Sequence, residues 1–337
     1  MNAINYSCMD VDRLTKRYYL PVAYSLIFIV GLVGNTISIS IYMTKLWPWK
    51  SSSIIMVNLA LTDLLYVLTM PFLIYYYINE GSWMLGDFMC RFMRFAFHFH
   101  LYGSILFLTC LAVFRYVVVV QPFRAPQVQD KFWGTVACLT VWTVAAAETT
   151  PMLTIVSLSV DSSNNTQCLV FVSTEPVTAV REYSWLLTAI GFVLPMLVVF
   201  FCNIGIVTEL AKGPSLTQSW RSRAQRMMVL ILGLFVLCFL PYHIMRGLWI
   251  ETQHNMWTLN TTAMTCSSHV LQAAYLMSRP LAAINTFFNM ALYTLSGNKF
   301  RRAFLSVFCR EAWLIKAGLR MQRIIITKTT TDIPAIP

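Results

Sequence analysis

Charge is what this chain has least of. Only 12% of its 337 residues are Asp, Glu, Lys or Arg, about half the share of an average globular domain. With 57% hydrophobic residues, too little solvating surface remains for one or two soluble domains, although the length would allow them. Cysteine is sparse too. Nine residues, no two of them in a CxxC pair, exclude a disulfide scaffold and a zinc-binding arrangement of that kind. No low-complexity tract and no internal repeat is present, which sets aside disordered-tail and repeat architectures. The composition is that of an integral membrane protein.

What is there is apolar length. Seven runs, near 19–44, 53–78, 88–119, 132–157, 183–210, 225–250 and 268–295, are each long enough to cross a bilayer as a helix, which takes about 20 residues. The connections are short. Residues 1–18 are polar and carry no apolar stretch before a small-residue cleavage site, so the first helix is expected to act as an uncleaved signal anchor. The chain divides into an outer N-terminus (1–18), a seven-span bundle (19–296) and an amphipathic helix with a tail (297–337).

Basic residues orient the bundle. With the N-terminus outside, 17 of the 25 Lys and Arg residues and four of the 14 acids fall on inner segments, a net +13 there against −2 elsewhere. The sequons at Asn5, Asn164 and Asn260 then all lie on outer segments, where glycosylation takes place. A plasma-membrane protein with its C-terminus in the cytoplasm is the expected topology.

Specific residues recur once per span. They are Gly34-Asn35, then Asn58-Leu59-Ala60-Leu61-Thr62-Asp63, then Cys90 and Phe114-Arg115-Tyr116, then Trp142, Pro195, Cys238-Phe239-Leu240-Pro241-Tyr242 and Asn289-Met290-Ala291-Leu292-Tyr293. In this order they resemble the signature residues of rhodopsin-like (class A) G-protein-coupled receptors, over about residues 19–310. Within that superfamily the chain looks like the branch that senses nucleotides and carboxylates. Pro48-Trp49-Lys50-Ser51-Ser52, Gly86-Asp87-Phe88-Met89-Cys90, His100–Cys110 and Ser278-Arg279-Pro280-Leu281-Ala282 are most similar to dicarboxylate receptors, those for 2-oxoglutarate before those for succinate. Phe114 in place of the usual acid, and Met290 in place of proline, agree with this placement. Trp249 departs from it, because the 2-oxoglutarate receptors carry a further basic residue there.

The resemblance implies an all-α membrane fold, a seven-transmembrane helix bundle with a short amphipathic eighth helix. It implies a Cys90–Cys168 disulfide pinning the second outer loop over the bundle mouth, with Cys8 and Cys266 left as a second outer pair. Arg115 and Tyr116, with Asn289 and Tyr293, are the expected residues of G-protein coupling and activation. Asp63, with Ser104, Asn285 and Asn289, corresponds to a set that holds a sodium ion favouring the inactive state, the one ion or cofactor the resemblance suggests; a hydrogen-bonded water cluster is the alternative the residues leave open.

The ligand expectation rests on charge in the spans. Arg94 and Arg115 lie 21 residues apart on one helix, about 32 Å at 1.5 Å per residue, so they sit near opposite edges of the hydrocarbon. Arg94 and His98 share a helix face at i,i+4, while Arg246 and Arg279 fall in the outer halves of the sixth and seventh spans. An Arg inside a span costs at least about 2.5–3.5 kcal/mol, so three near one depth call for anionic partners. A guanidinium fork binds a carboxylate bidentately. A small dicarboxylate fits with one end on Arg94 and His98 and the other on Arg246 and Arg279, Tyr102 and His243 adding hydrogen bonds and Phe97 an apolar wall. This set resembles the binding residues of dicarboxylate receptors. The bland alternative is pairing of these Arg residues with Asp87, Glu175, Glu182 or Glu251. Phosphates suit the same cluster, so a nucleotide ligand is the runner-up, and the resemblance to this branch adds a cysteinyl leukotriene receptor as an alternative.

His100 and Glu148 are further polar residues in the spans, read as helix–helix hydrogen bonds without an assigned function. With Asp63 and His98 they motivate the rival class, a transporter or proton channel, for which no inverted repeat is visible. No nucleophile–base pair suggests an enzyme. After the seventh span, Gly297–Phe304 alternates basic and aromatic residues, as a helix lying on anionic lipid does. Cys309 beside it is a palmitoylation candidate, an unmodified thiol being the alternative. The expected partners are a small dianionic ligand, a heterotrimeric G protein, arrestin (with Thr327, Thr329, Thr330 and Thr331 as phosphorylation sites) and membrane lipid, and no nucleic acid, because the basic tail abuts the membrane.

Overall fold

The computed structural model describes residues 10–79, 81–160, 166–169, 177–212, 218–259, 265–297 and 299–306. Six helices are long and apolar enough to cross a membrane: α1 (Asp10–Lys45), α2 (Ser51–Ile78), α3 (Gly86–Val120), α4 (Lys131–Ile155), α5 (Thr178–Ala211) and α6 (Ser222–Thr258). The seventh run is divided into α7 (Cys266–Ala283) and α8 (Asn285–Ser296), which meet at Ile284. Pro280 lies four residues before the division. It sits inside α7 without an N–H to donate, and the Ile284 amide reaches back to the Pro280 carbonyl at 2.9 Å. A ninth helix, α9, covers 299–306.

Proline also shapes the other spans. Wide π-helical turns lie at Thr15–Tyr19, Ala189–Val193 and Phe235–Phe239. Each ends two residues before a proline, Pro21, Pro195 and Pro241 respectively. The extra residue in such a turn makes room for a ring that would otherwise meet the carbonyl four residues back. In α2 the ladder instead opens at Leu68 and Thr69, just ahead of Pro71, and the Thr69 hydroxyl caps the Tyr66 carbonyl at 2.6 Å.

α3 is the central helix, packed against α2, α4 and α5, while α1 closes the ring against α2, α7 and α8. Signature residues make these joints. The Trp142 indole of α4 donates to Asn58 of α2 at 2.8 Å. Gly34 lets α1 approach α8, since a Cβ there would meet the Met290 sulfur at 2.0 Å. The outer face is apolar, with Phe201 65% and Val229 67% exposed, while Asp63, Asn35 and Asn289 are fully buried. That inversion suits a lipid solvent, in which polar groups turn to the bundle interior.

Two features exceed the expectation from sequence. Helix α1 already covers residues 10–18 of the polar segment, which carry a Lys16–Asp12 ion pair at 2.6 Å. The loop between α4 and α5 contains an antiparallel hairpin, β1 (Ser157–Val160) with β2 (Thr166–Leu169), in which Leu158 pairs with Cys168. It is tied down by the Cys90–Cys168 disulfide, by Trp83 N–H to the Thr166 carbonyl at 2.7 Å, and by Leu158 N–H to Asp87 at 3.3 Å.

Candidate ligand-binding site

The basic residues gather at the hairpin end of the bundle. One turn below Cys90, the Arg94 guanidinium donates through Nη2 to the Cys168 carbonyl at 3.0 Å. His98, a turn further, sets its Nδ1 2.8 Å from the Arg94 carbonyl. A carbonyl only accepts, so Nδ1 carries the proton there, and Nε2 faces the Tyr242 hydroxyl at 3.3 Å.

From α6, Arg246 donates through Nη1 to the Tyr102 hydroxyl at 2.6 Å, and its Nη2 has no hydrogen-bond partner among the described residues. From α7, Arg279 lies 4.6 Å from the centroid of the Tyr275 ring and donates to its hydroxyl at 3.0 Å. Its Nε also lacks a partner among the described residues. Tyr242 packs on Tyr275 at 6.0 Å between centroids, and His98 stacks on Tyr102 at 6.4 Å. The result is one continuous chain of groups from Arg246 through Tyr102, His98, Tyr242 and Tyr275 to Arg279.

His243 lies flat on Phe192 at 4.2 Å, and neither ring nitrogen has a partner among the described residues. Phe97 meets Tyr242 edge-on at 5.4 Å, as an apolar wall would. Gly191 leaves room for Tyr102, because a Cβ there would stand 2.6 Å from its ring.

The carboxylates named as alternative partners are engaged elsewhere or stand apart. Asp87 pairs with Arg91 at 2.6 Å, and Glu251 with Arg181 at 2.7 Å. Glu182 is exposed, and Glu175 lies outside the described residues. Among the described residues no ion pair reaches Arg94, Arg246 or Arg279. Glu148 is a further carboxylate nearby; its Oε2 stands 3.4 Å from the Gly191 Cβ position, and both of its oxygens lack hydrogen-bond partners among the described residues. Among the described residues its side chain makes no helix–helix hydrogen bond, while its backbone carbonyl accepts from Tyr183 at 2.6 Å. Three guanidinium groups without a counter-carboxylate among the described residues favour an anion by their charge.

Sequence reasoning missed Tyr242, Tyr275 and Phe192 as parts of this site. The i,i+4 spacing of Tyr275 and Arg279 could have found the first contact. The joining of Tyr242 to His98 had no sequence signal, since it depends on how α6 rotates against α3.

Deeper in the bundle, Asp63 accepts from His100 Nε2 at 2.9 Å and from Asn289 Nδ2 at 2.8 Å. Ser104 Oγ, both side-chain atoms of Asn285 and Asn289 Oδ1 lack hydrogen-bond partners among the described residues. At the opposite end Arg115 Nε is buried without a partner among the described residues. Tyr116 packs against Gly205, and Tyr293 against Tyr42 and Phe300. α9 turns Phe300 and Phe304 inward and exposes Lys299, Arg301 and Arg302, the two-faced helix expected there.

Cys266 is disulfide-bonded, and its expected partner Cys8 lies outside the described residues. So do Asn5, Asn164, Asn260, Cys309 and the Thr-rich end.

Comparison with known proteins agrees with this architecture. The 7 transmembrane receptor (rhodopsin family) model matches residues 34–293. The chain is 45% identical to 2-oxoglutarate receptor 1 of Rattus norvegicus over 300 residues, 89% of this chain and 87% of that one. It is 44% identical to 2-oxoglutarate receptor 1 of Mus musculus over 313 residues, covering 93% and 91%. A purinoceptor of Gallus gallus follows at 35% over 285 residues, covering 85% and 78%. This chain is therefore a multi-pass membrane protein that belongs to the rhodopsin family of seven-transmembrane receptors.

Proposed function

We propose that this receptor binds a small dicarboxylate, 2-oxoglutarate first among them, and promotes nucleotide exchange on a heterotrimeric G protein. The observation that carries the reading is the set of Arg94, Arg246 and Arg279 with no carboxylate partner among the described residues. Among the described residues, the N–H donors of Arg246 Nη2 and Arg279 Nε are unused. One carboxylate end meets Arg94 and His98, and the other meets Arg246 and Arg279, with His243 offering a ring nitrogen. The names of its relatives among 2-oxoglutarate receptors support the same ligand. The ligand acts by binding the active arrangement more tightly than the inactive one. Coupling runs through the phospholipase C and calcium branch, with the N-terminus and the hairpin facing outward and arrestin and lipid meeting the inner face.

A second reading takes the same cluster as a phosphate site, favoured by the 35% identity to a purinoceptor. The test is a calcium-release panel of 2-oxoglutarate, succinate, nucleotides and cysteinyl leukotrienes on cells expressing the receptor, repeated with Arg94→Ala, Arg246→Ala and Arg279→Ala. Responses to 2-oxoglutarate that vanish in all three variants are expected. Silence to dicarboxylates with a response to a nucleotide would overturn the ligand assignment, and substrate flux into vesicles without any G protein would overturn the receptor reading.

A further inference from the structure

We infer that the mid-membrane carboxylate Asp63 is closed by a histidine and takes no sodium ion, so that this receptor is insensitive to sodium. Both oxygens of the carboxylate are already in use. His100 Nε2 lies 2.9 Å from Oδ1, and Asn289 Nδ2 lies 2.8 Å from Oδ2. A hard cation needs oxygen ligands, an anionic oxygen above all. Ser104 Oγ, Asn285 Oδ1 and Asn289 Oδ1 are oxygens of the right kind, and none has a hydrogen-bond partner among the described residues. The anion among them, however, faces two N–H groups. Each N–H places the positive end of its dipole against a carboxylate oxygen and offsets part of the charge a cation would seek. The donor set therefore suits bridging water better than sodium.

The histidine cannot readily make way. Its ring stacks on Tyr66 at 4.5 Å with an interplanar angle of 17°. His100 is 2% exposed and Tyr66 1%, so no solvent-facing alternative lies beside the ring. His100 and Ser104 are i,i+4 on α3, so the imidazole shares its helix face with the hydroxyl that a cation in this cluster would use. Only the Nε2–H donor matters here, and it is present whether or not the ring is charged. A diffusible ion is thus replaced by a covalently attached donor that joins α3 to α2, while Asn289 joins α8 to the same carboxylate. Movement of α8 against α2 breaks the Asn289 bond and expels no ion.

The experiment measures the thermal unfolding midpoint of the full-length receptor, purified without ligand, in NaCl and in choline chloride at about 0.15 M. The unsubstituted receptor should give the same midpoint in both salts. His100→Asn frees Oδ1 and adds an amide oxygen, so its midpoint should rise in NaCl alone by roughly a few °C, as binding to the folded state requires. His100→Ala, which only opens the space, serves if the first variant does not accumulate. Adding Asp63→Asn to either variant should abolish the rise. A sodium-dependent rise in the unsubstituted receptor would overturn the inference, and so would midpoints unmoved by sodium in both His100 variants.

Discussion

Arg246 of α6 and Tyr102 of α3 are joined by a hydrogen bond, guanidinium Nη1 2.6 Å from the phenolic oxygen, with both residues buried. The phenol holds one arm of the guanidinium, while the other, Nη2, has no partner among the described residues. Tyr102→Phe removes the acceptor and keeps the ring. A hydrogen bond to a charged group is worth about 1.5–3 kcal/mol, so 2-oxoglutarate potency should fall roughly tenfold or more. Concentration–response curves at matched surface expression test this; unchanged potency would mean that the phenol does not position Arg246.

Arg279 is held by both the face and the hydroxyl of Tyr275. A lysine offers no planar fork and reaches only one of the two. Arg279→Lys should therefore lose most of the response despite conserving charge. Tyr275→Phe keeps the ring contact, worth about 0.5–2 kcal/mol, and should lose less than Tyr275→Ala. The reverse order of the two tyrosine variants would refute the stacking role.

Glu148 is a carboxylate beside this chain of groups, across Gly191 from the Tyr102 ring, and its charge repels a dianion. Glu148→Gln is nearly isosteric and removes the charge. Two unit charges about 10 Å apart at an effective dielectric near 20 repel by about 1.7 kcal/mol, so potency for an anionic ligand should rise roughly tenfold or more. A loss of potency would show that Glu148 supports the pocket instead.

Phe114 stands where an acid would restrain Arg115, and Arg115 Nε has no partner among the described residues. Phe114→Asp should lower ligand-free signalling, read as basal inositol phosphate accumulation per surface receptor. Equal basal activity of the two would count against an acid-restrained state.

The spans, their order and the basic cluster were legible because each rests on a strong local signal, an apolar run, a signature residue or an Arg where one is costly. The hairpin between α4 and α5 was not, since a four-residue strand such as Ser157–Val160 has too little pattern to separate from a loop. His100 was seen as a helix–helix hydrogen bond, and it makes one, but its partner Asp63 lies 37 residues away on another helix. Spacing along α3 says which face His100 occupies and nothing about which carboxylate meets that face. The same limit hid Tyr242, whose contact with His98 exists only once α6 is set against α3.

The wide turn at Phe235–Phe239 has a consequence for how α6 is phased. One surplus residue in a helix advances everything beyond it by about 100°. His243 and Arg246 lie past that point, so their direction is inherited from the turn as much as from their own positions. A helical wheel drawn continuously from Ser222 would therefore misassign them. Removing a single residue from the turn would rotate Arg246 about a quarter of a revolution around α6, away from Tyr102, without altering any residue that touches the ligand site.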